Sequence, residues 1–306
     1  MSQKKQRALR AGAEAEEKRR QDMLNDAFQK AIEKRAIRAF PNTALGGLRA
    51  SVAAGLYAVR HALRCWRLVM AMAFLSTLPA GAGLLTTALQ LPPVAGLVLM
   101  VALAMATAPV TLSMYMSATL IISGGGKVKV RPCLPDGKTT RKLALLGLLC
   151  ALAGGVALYG AWMTTKAGLN ENVALLMGTA VLNVLAYTGV LAVFGVWSDP
   201  DAKWLAIPYA IRTAGKTKLF ALGAFVGAMA LNFLVAAAMA ATVSALMFSQ
   251  KAATSETGMA IQLAVGTMVL PVALLVSSSV MLFFARLAMS ADMAANGTQI
   301  THSVKL

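Results

Sequence analysis

The sequence predicts an all-α, polytopic integral membrane protein: six transmembrane helices in three hairpins, with basic amphipathic interfacial helices on the cytoplasmic side. Three observations lead there. Residues 68–126 contain no Asp, Glu, Lys, Arg or His, whereas about 20 apolar residues suffice for one helical crossing. Charged residues make up 13% of the 306, against about a quarter in soluble domains. The apolar residues come in long runs and do not alternate, which selects helices over a barrel.

Residues 1–40 are polar and helix-prone, and no apolar signal-type region is expected in them. Leu24, Phe28, Ala31, Ile32, Ala36 and Phe40 approach a helical stripe that ends before Pro41. This arm reads either as a solvated cytoplasmic tail or as a docking helix for a protein partner or anionic lipid.

Residues 41–67 read as a basic amphipathic helix. Arg49, Tyr57, Arg60, Arg64 and Arg67 share one stripe, and Leu48, Val52, Leu56, Val59, Leu63 and Trp66 form another, about 100° round the helix. Such a helix suits the headgroup layer of an anionic leaflet; packing against the protein's own spans is the alternative.

The transmembrane region is expected over 68–289, with spans at 68–89, 94–123, 143–165, 173–197, 219–248 and 261–289. Pro92 and Pro93 turn the first hairpin. Pro109 bends the second span, and Thr107, Thr111, Ser113 and Ser117 lie near enough to re-satisfy the backbone it frees. A basic loop with a Pro135-Asp136-Gly137 turn signal follows. Segment 199–218 is a second amphipathic element, with Trp204, Leu205, Ile207 and Ile211 apolar and Lys203, Arg212, Lys216 and Lys218 charged. Residues 290–306 read as a short polar cytoplasmic tail.

Charge sets the expected orientation. All but two of the 29 Lys and Arg residues, Lys166 and Lys251, fall on one side of this arrangement. Positive loops stay cytoplasmic, so both termini are expected inside, consistent with an even number of spans. Trp66 and Trp197 are expected at inner boundaries and Trp162 at an outer one, as an aromatic belt. Topology and lipid contact account for the net charge of +17, so no nucleic-acid partner is expected.

Chemistry-bearing patterns are scarce. No ionisable residue lies deep in an expected span, although Arg286 sits at the inner end of the sixth; coupled carriers usually place one at mid-membrane. Cys65, Cys133 and Cys150 share no ligand spacing, His61 and His302 stand alone, and no metal or cofactor is expected. No HExxH or GxSxG is present. Residues 132–139 end like a phosphate-binding loop but carry Pro132 where glycine is required, outside any α/β core. Gly124-Gly125-Gly126-Lys127 is followed by Val128, not Ser or Thr. Asn296-Gly297-Thr298 matches a glycosylation acceptor on the wrong side of the membrane.

Asn183 and Asn232 are candidate intramembrane polar contacts, either packing glue or part of a polar cavity. Gly223 and Gly227 form a close-approach step, within the chain or at a dimer seam. Arg49, Arg60, Arg64, Arg67, Arg212, Lys216 and Lys218 are candidate headgroup contacts. The expectation is a non-enzymatic bacterial inner-membrane scaffold or subunit of a larger assembly of the secretion or conjugation type. The alternative is a passive transporter or channel for an uncharged or amphiphilic solute.

Overall fold

A computed structural model describes scattered positions between 15 and 31 and then residues 39–71, 89–90, 93–168, 170–199, 201, 203–230 and 256–296. These residues are 89% helical, with no strand among them. Four helical stretches are long and apolar enough to cross a bilayer: Val98–Ser123, Gly137–Lys166, Met177–Ser198 and Leu275–Asn296. Large apolar side chains on them point outward, among them Val101, Leu152, Val156 and Val184, at 50%, 68%, 72% and 64% exposure. A water-facing surface does not carry apolar area of that extent. The chain is a helical, multi-pass membrane protein. Most of the expected first span, the second half of the fifth, the arm's first fourteen residues and the tail from 297 lie outside the described residues.

Helix α1, Ala44–His61, begins where Pro41 and the Thr43 cap dictate; the Thr43 hydroxyl accepts from Gly46 N–H at 3.1 Å. A tighter turn over Ala62–Cys65 follows, and the helix resumes to Ala71. The sequence suggests two faces; the structure shows three. The four arginines of the basic stripe are exposed, Tyr57 is half-buried, and the apolar stripe is exposed too, with Leu56, Val59 and Leu63 at 70%, 73% and 69%. The third face, Gly46, Gly47, Ala50, Ser51, Ala54 and Ala58, is buried in the protein. Small residues add little to a hydropathy pattern, so this face is silent in the sequence, yet it lets helix axes approach closely.

Helix α2, Pro93–Ser123, contains Pro109. Proline lacks an N–H, so the carbonyl four residues back, Met105, loses its helical donor. The nearby hydroxyls do not rescue it: Thr107 donates to Ala104 O at 3.0 Å and Ser113 to Val110 O at 2.7 Å. Instead Gly147 of the next long helix lies directly against that carbonyl, so close that a Cβ there would overlap the oxygen. A glycine Cα–H is a weak donor, and only glycine permits the approach.

After the short helix α3, Val130–Cys133, the Pro135-Asp136-Gly137 signal proves to be a helix start. Asp136 caps α4, Gly137–Lys166, accepting from Thr139 and Lys138 N–H at 3.1 and 3.3 Å. Gly168, at φ +91°, ends that helix. Helix α5, Glu171–Ser198, then returns antiparallel to α4, with Gly154 against Leu182 and Gly189 against Cys150. The expected second amphipathic helix is broken: Trp204, Leu205 and Ala206 all hold left-handed φ near 55°, and helix α6 covers only Ile207–Lys216. Helix α7, Lys218–Ala230, and helix α8, Glu256–Asn296, complete the described chain.

Helices α2 and α5 form the centre, with α4 on one flank and α8 on the other, and α1 packs on α8. The buried core, including Met114, Tyr115, Leu143, Leu191, Val196, Leu282 and Phe283, gathers towards one end. Leu24, Ala27 and Ala31 of the arm are buried in that same core, and Gly124 abuts the Ala27 carbonyl. Trp197 belongs here too. It is 7% exposed and donates its indole N–H to Ser117 Oγ at 2.9 Å, so it packs between α2 and α5 rather than joining a lipid-facing belt. Trp66 and Trp162, at 58% and 52%, do face outward.

Gly147→Leu is expected to lower the thermal midpoint in detergent, with a cost of about 1–3 kcal/mol from forced overlap. Gly160→Ala, where a Cβ meets nothing, should leave the midpoint unchanged or raise it. Equal midpoints for the two variants would contradict the close contact at Met105.

Candidate functional site: an arginine-lined cleft at the cation-rich end

The segments carrying most of the cations meet at one end of the bundle. Lys138 Nζ bonds Asp201 Oδ1 at 2.5 Å, linking the first turn of α4 to the α5–α6 connection. Arg286 Nη1 donates to Ser123 Oγ at 3.3 Å, joining α8 to the end of α2. Asn42 Nδ2 donates to Lys216 O at 2.6 Å, joining the entry to α1 with α6. Lys166, by contrast, sits at the far end of α4, its ammonium 5.4 Å from the Trp162 ring centre.

Between α1 and α8 this end opens into a cleft of about 440 Å³, lined by Phe40, Ala50, Ala53, Ala54, Leu56, Tyr57, Arg60, His61, Arg286 and Ser290. Successive turns of α1 deliver Ala50, Ala53, Tyr57 and Arg60; the small residues leave the space and the larger ones bound it. Tyr57 is the hub. Its hydroxyl donates to Thr119 O at 3.1 Å, its ring lies 4.6 Å from the His61 ring, and the Arg286 guanidinium sits 4.9 Å over its face. Burial pushes the Tyr57 phenol up to about 12, so it remains a neutral donor. His61 Nδ1 is buried with no hydrogen-bond partner among the described residues. The His61 pKa falls below its ordinary 6.5, first because of burial and then because Arg64, Arg60 and Arg286 repel a further positive charge. No carboxylate lines the cleft among the described residues. Its guanidinium groups and positive charge suit an anion.

No known family, curated protein or solved structure matches this chain.

A second polar cluster braces the same end. Tyr209 OH donates to Asp292 Oδ1 at 2.6 Å, Asn296 Nδ2 donates to the same oxygen at 2.8 Å, and Lys216 Nζ reaches Asn296 Oδ1 at 3.5 Å. Burial first, and then the Asp292 carboxylate, push the Tyr209 phenol well above its ordinary range. The sequence reading assigns Asp292 to a polar tail; the structure continues α8 to Asn296 and leaves Asp292 6% exposed. The available signal was the apolar pattern of Leu287, Ala288, Ala291 and Met293, unbroken until Gly297.

The remaining candidates divide. Arg49, Arg60, Arg64 and Arg67 are all exposed, but only Arg60 lines the cleft. Arg212, Lys216 and Lys218 are exposed on α6 and at the start of α7. Asn183 donates to Thr179 O of its own helix at 2.7 Å, so its amide N–H serves its own turn. Asn232 lies outside the described residues. Gly223 and Gly227 face α1: a Cβ on Gly223 would overlap the Ala44 carbonyl, and one on Gly227 would overlap Ser51. Ser51 Oγ adds a bond to Ala224 O at 3.2 Å. Cys65 is buried, its thiol pushed up to about 12 by burial, which suppresses its nucleophilicity. Among the described residues no cluster of His, Cys, Asp and Glu fits a metal.

Because His61 is held neutral, folding gains from it in full above the unfolded value near 6.5 and loses that gain as pH falls. The thermal midpoint should therefore drop between about pH 7.5 and about pH 5 by more in the wild type than in His61→Asn, since the asparagine cannot take up the proton. Identical pH profiles would remove His61 from the account. Tyr209→Phe should cost about 1.5–3 kcal/mol, the usual worth of a hydrogen bond to a charged group, read by chemical or thermal unfolding in detergent.

Proposed function

We propose that this chain is a non-enzymatic component of a bacterial inner membrane, a scaffold or subunit of a larger assembly of the secretion or conjugation type. It crosses six times, as three hairpins, with both termini in the cytoplasm. The observation that carries this reading is the braced, cation-rich end: the segments holding most of the Lys and Arg converge there and are cross-linked by Lys138–Asp201, Arg286–Ser123 and Tyr209–Asp292. A rigid basic face of this kind suits a docking platform beside an anionic leaflet. The arm supports it as well. Its Leu24, Ala27 and Ala31 anchor to the bundle, while Lys18, Arg19, Asp22 and Lys30 stay exposed, presenting a charged helical face to a protein partner. The solute-pathway alternative draws less support, because Asn183 bonds its own helix and does not line the cleft between α1 and α8.

Two measurements test this. Cysteines placed at Gly168 and at Lys138 should label from opposite sides, Gly168 from the periplasm; labelling from the same side would end the topology. Solubilised in mild detergent from its native membrane, the chain should run as a particle larger than itself. Reversing Lys18, Arg19 and Lys30 to Glu should shrink that particle. A chain that runs alone before and after the change would end the assembly reading.

A further inference from the structure

The cleft between α1 and α8 holds chemistry that a docking platform does not use. Its volume, about 440 Å³, falls within the roughly 300–1,000 Å³ of small-molecule sites. Arg60, His61 and Arg286 line it with no carboxylate among its described residues, and guanidinium groups match phosphate oxygens in fork geometry. His61 adds a buried ring nitrogen with no hydrogen-bond partner among the described residues, an atom that a ligand oxygen would satisfy. The rest of the lining is largely apolar, and Leu56 belongs both to the cleft and to the outward stripe of Val52, Val59 and Leu63. The cleft therefore opens sideways onto the surface that faces hydrocarbon. A small water-soluble anion would use only the charged part; an anionic amphiphile would use both.

We propose that this cleft binds a single anionic phospholipid, its phosphate held by Arg60, His61 and Arg286 and one acyl chain leaving past Leu56 onto the outward stripe. The site rests on the chain's membrane placement and not on the assembly reading. Loss of a protein partner would leave it intact, whereas recovery of the chain in a soluble fraction would remove both.

The test uses the full chain, delipidated in neutral detergent and offered phosphatidylglycerol or phosphatidylcholine with the same acyl chains. Bound lipid is counted by native mass spectrometry. Wild type and the control Lys129→Gln, an exposed cation outside the cleft, should retain near-equimolar phosphatidylglycerol and little phosphatidylcholine. Arg60→Gln and His61→Asn should each lower retention about tenfold, the worth of one charge-assisted hydrogen bond. Arg60 is exposed, so Arg60→Gln should keep the wild-type circular dichroism. Equal retention of the two lipids would overturn the proposal, as would equal retention by Arg60→Gln and Lys129→Gln. Displacement of the lipid by millimolar inorganic phosphate would overturn it too, by making this a site for soluble phosphate.

Discussion

A carbonyl in hydrocarbon has no water to turn to, and Pro109 leaves one such group at Met105 without its helical donor. The bundle answers with backbone, not side chain. Gly147 brings α4 onto α2 at that carbonyl, closer than any residue with a Cβ could come. The same device recurs where α1 meets α7, at Gly47 against Phe220 O and at Gly223 against Ala44 O. In lipid, apolar side chains gain nothing by leaving the solvent for one another, so association rests on close packing and on such contacts. The helices are placed by where their backbones touch.

That constraint acts most strongly at the cation-rich end, where the buried core is concentrated. The exposed Lys138–Asp201 pair, with side chains 63% and 83% accessible, is screened by solvent and adds little. The enclosed contacts matter more: Trp197 with Ser117, Tyr209 with Asp292, and Tyr57 with Thr119 each connect different helices. Together they make a polar belt inside an apolar bundle. Arg286 of α8 and Arg60 of α1 come to one cleft, Arg286 beside the Tyr57 ring and the Ser123 hydroxyl.

The long helices were legible because a charge-free run beside basic loops has few physical interpretations, and the boundaries of α2, α4 and α5 fall within a turn or two of those expected, α4 starting earliest because Asp136 caps it. What the sequence hid shares one cause. Hydropathy registers how greasy a residue is, not how small, so the buried Gly46, Gly47, Ala50, Ser51, Ala54 and Ala58 of α1 left no mark. Asp292 was hidden differently: its charge suggested a tail, and only the tertiary partner Tyr209 shows why a carboxylate can be enclosed there. The basic residues of the cleft were visible one at a time, but the pairing of Arg60 with Arg286 joins positions far apart in sequence and needed the fold.

The glycine contacts divide the chain into positions that drift freely and positions that cannot. An outward leucine such as Leu152 answers to nothing but oiliness, and isoleucine, valine, methionine or phenylalanine would serve there equally well. At residues 47, 147 and 223 a single extra methyl collides with a neighbouring main chain. Over generations the greasy exterior is free to be rewritten almost wholesale, while the molecule's shape is inherited through a few hydrogen atoms.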